Sequence, residues 1–370
     1  MSIGLNFSRR IRRTAYTNKV EQAGVSGFSV VNHMLLPKAF KHSVEDDYWH
    51  LRKDVQLWDV STQRVIEVVG PDASKLIQLM TPRNISICKA GDCLYLPIID
   101  QNAGLINDPV LLKHSEEKFW LSIADSDLLL FAIGLSIGLK LDVVVSEADI
   151  WTVSIQGPKA EDLISDLFGE QTRNIKFFKF DKIDFKKTKQ IIARSGYSRQ
   201  GGFEIYLEGK VLGPDLWDLI LQAGQKYNIR PGSPNIIERV EGGLFSYGNE
   251  ITRENNPFEM GLGKYCSLND EVDYVGREAL RKIAADGVSQ KLKAFVFDGS
   301  KCPVCSSPWP LTLNGKRVGQ ITSAMYSPRK KANVSIAMIK REYWSCSDKI
   351  TVDCMDGELR DGRIDTFPII

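Results

Sequence analysis

Few residues in this sequence could carry chemistry, and two are carboxylates. The strand-like run Gly202-Phe203-Glu204-Ile205-Tyr206-Leu207 sets a glutamate among apolar neighbours, after the glycine-rich stretch Gly196-Tyr197-Ser198-Arg199-Gln200-Gly201. Strand alternation puts Glu204 and Tyr206 on one face. If that face turns inward, the buried carboxylate needs hydrogen-bond donors, and a flat heterocycle with two adjacent N–H groups, such as an aminopyrimidinone, supplies them. If it turns outward, Glu204 is an ordinary edge-strand glutamate in water. The second acid, Asp108, starts a strand beside Pro109 after a turn at Gly104, and reads as a site carboxylate or as plain turn chemistry. A third stretch, Glu238 to Glu250 with Gly242 and Gly243, reads as a helix with glycine inside it. That costs about 1 kcal/mol per glycine unless close packing demands it.

Other chemistries lack their residues. No Gly-x-Gly-x-x-Gly follows a strand, because Gly261-Leu262-Gly263 runs on into Lys264-Tyr265-Cys266. A phosphate loop, a nucleophile elbow and an H-E-x-x-H helix are absent. Four histidines are too few for a metal-rich site, and no metal is expected. The only close cysteine pair, Cys302 and Cys305, offers half a zinc site, so the seven cysteines read as reduced thiols of a cytoplasmic protein. A net charge of +2 argues against a nucleic-acid partner. No apolar run reaches the ~18–20 residues of a membrane helix. The arginines from Ser8 to Arg13 are soon followed by Glu21 and the apolar Val25 to Val31, so they read as a solvated or anion-facing part of the mature protein.

The 370 residues suggest two or three domains. Residues 1–150 show α+β patterning: a strand over 65–69, a Gly-Pro turn, a helix from Ala73 to Met80, and strands near 94–99, 110–112 and 119–123. Val153 to Ala160 repeats the strand, Gly-Pro turn and helix start of Val68 to Ala73, which indicates an internal duplication about 85 residues apart. A second α+β domain over 151–288 ends after a helix near 276–285. Residues 289–370 carry short β-like runs with Gly, Pro and Asn between them, the pattern of a small all-β module.

Six phrases in order resemble the aminomethyltransferase family, the tetrahydrofolate-dependent T-proteins of glycine cleavage. They are Leu57-Trp58-Asp59-Val60-Ser61, Ile155-Gln156-Gly157-Pro158, Gly196-Tyr197 through Ile205, Arg239 through Glu250, Asn256-Pro257-Phe258-Glu259-Met260-Gly261-Leu262, and Val318-Gly319 through Pro328. The resemblance implies a three-domain α+β cloverleaf, with two related folate-binding domains and a jelly-roll-like C-terminal β domain. Two departures stand out. The family's G-G-x-x-D-D is Ala103-Gly104-Leu105-Ile106-Asn107-Asp108, with one acid lost, and its T-G-E is Ser198-Arg199-Gln200. The N-terminal stretch from Ser8 to Lys38 is similar to the branch that demethylates dimethylsulfoniopropionate.

By this resemblance the chain is expected to move an S-methyl group to N5 of tetrahydrofolate, as a monomer or homodimer. Glu204 then fixes the pterin ring, with Tyr95, Phe178 and Tyr197 as its walls. Asp108 lies near the folate N5–N10 edge as orienter or proton acceptor. Arg239 reaches the folate tail or pins its helix to the sheet. Asn32, His33 and Met34 meet the substrate carboxylate, and Tyr206 faces the sulfonium. Two alternatives remain: an aminomethyltransferase acting on an amine, and a non-catalytic folate-binding relative.

Overall fold

The computed structural model describes residues 8–369. The helix expected after Val65–Val69 spans Ala73–Met80, and the one expected near 276–285 spans Arg277–Asp286. A five-stranded antiparallel sheet runs in the order Val144–Glu147, Val65–Val69, Lys118–Ser122, Val110–Ser115, Cys93–Tyr95. A six-stranded sheet runs in the order Phe180–Phe185, Thr188–Ala193, Gly202–Glu208, Ile150–Gln156, Gln56–Asp59, Arg230–Gly232. The remaining large element is a closed six-stranded barrel formed from residues 290 to 365. Sheet membership crosses residue 150. Gln56–Asp59 precedes the first sheet in sequence yet pairs with Ile150–Gln156 of the second, and Val144–Glu147 pairs back onto Val65–Val69.

The two sheets repeat one plan. In each, a strand ends at a glycine with positive φ (Gly70 +141°, Gly157 +125°), and a helix follows, Ala73–Met80 or Ala160–Phe168. In each, a chain segment presses on that glycine: a Cβ on Gly70 would lie 2.4 Å from the Asp142 carbonyl, and one on Gly157 would lie 2.2 Å from the Asp54 carbonyl. Only glycine tolerates both the φ and the approach. The ladders match as well. Glu67, three residues before Gly70, pairs with Trp120, and Ser154, three before Gly157, pairs with Glu204.

Alternation divides the faces of each sheet. Phe203, Ile205 and Leu207 pack outward against the helices Ala160–Phe168 and Gly213–Gly224, while Phe119 and Leu121 pack with the helix Ala73–Met80. The opposite faces meet each other, with Val65, Leu112, Trp120, Ile191 and Tyr206 in one shared cluster. Burying these side chains contributes roughly 1.5–3 kcal/mol each. Glu204, on the same face as Tyr206, therefore points inward.

The stretch from 238 to 250 differs from the expected helix. The helix is Ile236–Gly242, and Gly243 ends it in the left-handed region at φ +64°. The glycines stop the helix instead of interrupting it, because Gly243 is its C-terminal cap. Its Cβ position is also filled, 2.6 Å from the Phe367 ring. The early arginines face anions of the protein itself: Arg12 pairs with Glu147 at 2.8 Å and Arg13 with Glu21 at 2.5 Å. No helix among the described residues is long and apolar enough to cross a membrane. Because the Gly157 approach is backbone against backbone, Gly157→Ala is expected to lower unfolding free energy by at least about 2 kcal/mol in urea titration.

Candidate active site

Where the two inner faces diverge, loops and the barrel enclose a cavity of about 1200 Å3. Tyr95, Asp108, Phe178, Tyr197, Glu204 and Arg239 all line it. Glu204 is only 5% exposed, and its Oε2 accepts the Ser195 hydroxyl at 2.5 Å. Burial pushes its pKa up, against the opposing pull of that hydroxyl. Ser195 is a partner that sequence reading missed. It follows the strand Thr188–Ala193, whose Ala193 pairs with Glu204, so the sheet register brings it alongside.

Asp108 sits just after the short strand Leu105–Asn107. Its Oδ2 accepts the Tyr95 hydroxyl at 2.9 Å, while its Oδ1 is buried without a hydrogen-bond partner. Burial raises its pKa to about 7, with the Tyr95 hydrogen bond opposing. A buried carboxylate oxygen left unmatched costs several kcal/mol unless a proton or a ligand donor meets it. Asn107, standing where the resembled motif has its first acid, is engaged in the structure. Its amide donates to the Ala124 carbonyl at 3.0 Å and the Ser126 hydroxyl at 2.7 Å, and its oxygen accepts the Ala124 N–H at 3.0 Å. One acid remains for chemistry at this position.

The aromatic lining is held from behind. Tyr197 donates its hydroxyl to the Leu244 and Phe245 carbonyls at 3.0 and 2.5 Å. Tyr95 packs edge-on to Tyr265 at 5.7 Å. Arg239 lies in the wall, but its guanidinium is committed to Glu250 at 2.7 Å, to the Leu244 carbonyl at 3.1 Å and to Ser323 at 2.6 Å. These contacts tie its helix to the following loop and to the barrel strand Lys316–Ser327, in place of the expected pin to the sheet or reach to the folate tail. Arg199, where the resembled motif has glycine, adopts φ +55° and also lines the cavity.

Four of the expected residues do not line the cavity: Asn32, His33, Met34 and Tyr206. Asn32 and His33, at φ +49° and +62°, form the two-residue turn between strands Gly27–Val31 and Met34–Ala39. Two positive φ values in a two-residue hairpin loop favour Asn at the first. Asn32 then spends its side-chain amide on the Thr62 and Ala124 carbonyls, at 2.9 and 3.0 Å. His33 is exposed, and Met34 is buried in the hairpin. Tyr206 is buried in the seam between the sheets, its ring 6.4 Å from Trp120. The hairpin reaches the cavity through other residues, among them Val30, Leu36 and Lys38. Nothing in the spacing of the sequence marks these out.

Two related α+β sheets closed by a β barrel around inward carboxylates define the aminomethyltransferase fold. The glycine cleavage system aminomethyltransferase T of Bartonella henselae superposes with a TM-score of 0.87 over 97% of this chain and 98% of that one, at 20% identity. The GCVT N-terminal domain model matches residues 16–270, and the glycine cleavage T-protein C-terminal barrel domain model matches 290–369. The chain belongs to the glycine cleavage T-protein family. It is 45% identical over 350 residues, 95% of each chain, to dimethylsulfoniopropionate demethylase DmdA of Ruegeria pomeroyi. It is 30% identical over 344 residues to an aminomethyltransferase of Clostridium botulinum, covering 89% and 90% of the two chains.

The raised pKa of Asp108 has a stability signature. Between the unfolded value near 3.8 and about 7, the folded state binds the extra proton, so stability falls as pH rises through this window. Asp108→Asn is expected to unfold at higher urea than the parent at pH 8, by roughly 1–3 kcal/mol, and to show no gain at pH 3.5. Equal midpoints at both pH values would contradict the buried, unmatched oxygen.

Proposed function

We propose that this chain transfers one S-methyl group of dimethylsulfoniopropionate to N5 of tetrahydrofolate, giving 5-methyltetrahydrofolate and 3-(methylthio)propionate. The observation that carries the reading is the 45% identity, across nearly the whole of both chains, to the Ruegeria demethylase. The cavity agrees with it. At about 1200 Å3 it exceeds the roughly 300–1000 Å3 of single-ligand pockets, and direct transfer requires two reactants side by side.

The residues suit a folate. Glu204 offers a buried carboxylate that accepts the Ser195 hydroxyl, the match for a ring that presents neighbouring N–H groups. Ser195 holds that carboxylate in place, and Tyr95, Phe178 and Tyr197 supply aromatic walls. Bound tetrahydrofolate supplies the nitrogen nucleophile that accepts the methyl group. The sulfonium sulfur keeps the bonding electron pair and departs as a neutral thioether, so no developing anion needs stabilising. Asp108, with its free Oδ1 and a pKa near neutrality, takes the proton shed by the acceptor nitrogen, and Tyr95 steadies its other oxygen. We place the activity in the cytoplasm, where the seven free thiols persist.

The test is anaerobic incubation of the purified protein with tetrahydrofolate and dimethylsulfoniopropionate. Equimolar 5-methyltetrahydrofolate and 3-(methylthio)propionate are expected. Ammonia release from an aminomethyl-lipoyl protein, without turnover of the sulfonium, would replace this reading with that of an aminomethyltransferase. Glu204→Gln is expected to weaken folate binding about tenfold to hundredfold in calorimetry. The rate at low substrate should climb through pH 7 as Asp108 loses its proton. Asp108→Asn should remove that limb and slow transfer about 10²–10⁴-fold.

A further inference from the structure

The cations around the cavity are not equivalent. Arg239 is bound to Glu250, and Arg194 to Glu161. Lys38 differs. It lies in the strand Met34–Ala39, after four buried residues, and turns its side chain into the cavity. Its carbonyl accepts the Ser233 hydroxyl at 3.2 Å, which ties this point of the strand to the segment leading into helix Ile236–Gly242. Its ammonium has no ion-pair or hydrogen-bond partner among the described residues. Lys38 is an exposed residue of the cavity rim, yet the surrounding protein lowers its pKa, first by desolvation and then by the like charge of Arg239. A partly desolvated cation beside a second cation is a poor arrangement for the protein alone and a good one for a bound anion.

A second set of cations is connected to Asp108 through aromatic rings. Arg83 and Lys264 stand 4.5 and 4.9 Å from the centre of the Tyr265 ring. That ring packs on Tyr95, which donates to Asp108. Tyr197 lies within electrostatic reach of both Asp108 and Arg239, and Arg239 within reach of Lys38. Asp108 is thus linked to two sets of cations, Arg83 and Lys264 through Tyr95, and Arg239 with Lys38 through Tyr197. The two reactants of the proposed transfer each carry carboxylate, and the sulfonium reactant carries its carboxylate away from the sulfur. A cation near the sulfur would repel the reacting group, so its anchor belongs at a distance from Asp108.

We propose that Lys38 binds the carboxylate of the sulfonium substrate and so selects a zwitterion over neutral or purely cationic methyl donors. This rests on the methyl-transfer reading above. The recognition is a charge-assisted hydrogen bond from the ammonium to carboxylate oxygen, and it leaves the sulfonium to the aromatic and apolar lining.

The experiment compares the parent, Lys38→Met and Lys38→Arg in steady-state methyl transfer, varying dimethylsulfoniopropionate and tetrahydrofolate separately. Lys38→Met is expected to lower kcat/KM for the sulfonium about tenfold to hundredfold, mostly through KM, with the KM for folate within twofold. Lys38→Arg should recover most of that loss. The methyl ester of the substrate, which lacks the anion, should discriminate little between parent and Lys38→Met. Thermal melting of both variants reports that the fold is kept. Unchanged KM for the sulfonium in Lys38→Met overturns the assignment, and so does a rise confined to the KM for folate, which would give Lys38 to the folate tail. A parent enzyme that does not demethylate the sulfonium overturns the methyl-transfer reading, and the anchor with it. An active parent with an indifferent Lys38→Met overturns the anchor alone.

Discussion

The ion pair between Arg239 and Glu250 joins three parts of the chain that would otherwise meet only at their surfaces. Arg239 belongs to helix Ile236–Gly242, Glu250 to the loop that follows it, and their shared partner Ser323 to the barrel strand Lys316–Ser327. The Arg239 and Glu250 side chains are 9% and 0% exposed. A pair this deep gains little over a well-packed apolar substitute, but losing one partner strands the other charge in a medium that cannot solvate it. The same arginine also caps the loop through the Leu244 carbonyl, to which Tyr197 donates. The cavity wall, the helix and the barrel therefore stand or fall together, and the aromatic lining inherits its position from a charge pair that need not touch any reactant.

The sheets impose a second constraint. The later half of the α+β body borrows a strand from the earlier one: Gln56–Asp59 completes the sheet of Ile150–Gln156, whereas the first sheet is built from residues 65–147 alone. The borrowed strand makes the second sheet depend on residues from both sides of position 150. It also fixes the relative height of the two inner faces. That in turn sets where Glu204 and Asp108 come to lie around one space.

Much of this was legible beforehand. The Gly-Pro turns after Val69 and Gln156, the helices that follow and the β-rich end of the chain are local signals, written in residues that sit next to each other. Six ordered phrases were enough to suggest the family. The inward turn of Glu204 could be stated only as a condition, because alternation fixes which residues share a face but not which face is covered. What stayed hidden depends on distant chain segments meeting. The Asn32 amide is captured by carbonyls of residues 62 and 124, so a residue expected to meet substrate instead fastens a hairpin. Tyr206 obeys the alternation but falls in the dry seam between the sheets, not in the open part. Lys38, Arg83 and Tyr265 come to line one cavity only through tertiary contacts, with no spacing to announce them. The helix expected across Gly242 and Gly243 ends there because glycine can serve as filler or as stop, and only the φ angle tells which.

Equivalent rungs of the two ladders hold different side chains, with Trp120 in the seat that Glu204 has in the other half. The indole is 5% exposed and donates to Glu67 at 2.8 Å, so it satisfies itself without a guest. Of the two repeated halves, one presents a carboxylate at this rung and the other a ring that is already satisfied. A molecule built from two repeated sheets thereby keeps one inward carboxylate of this kind, and the matching seat in the other half is mortar.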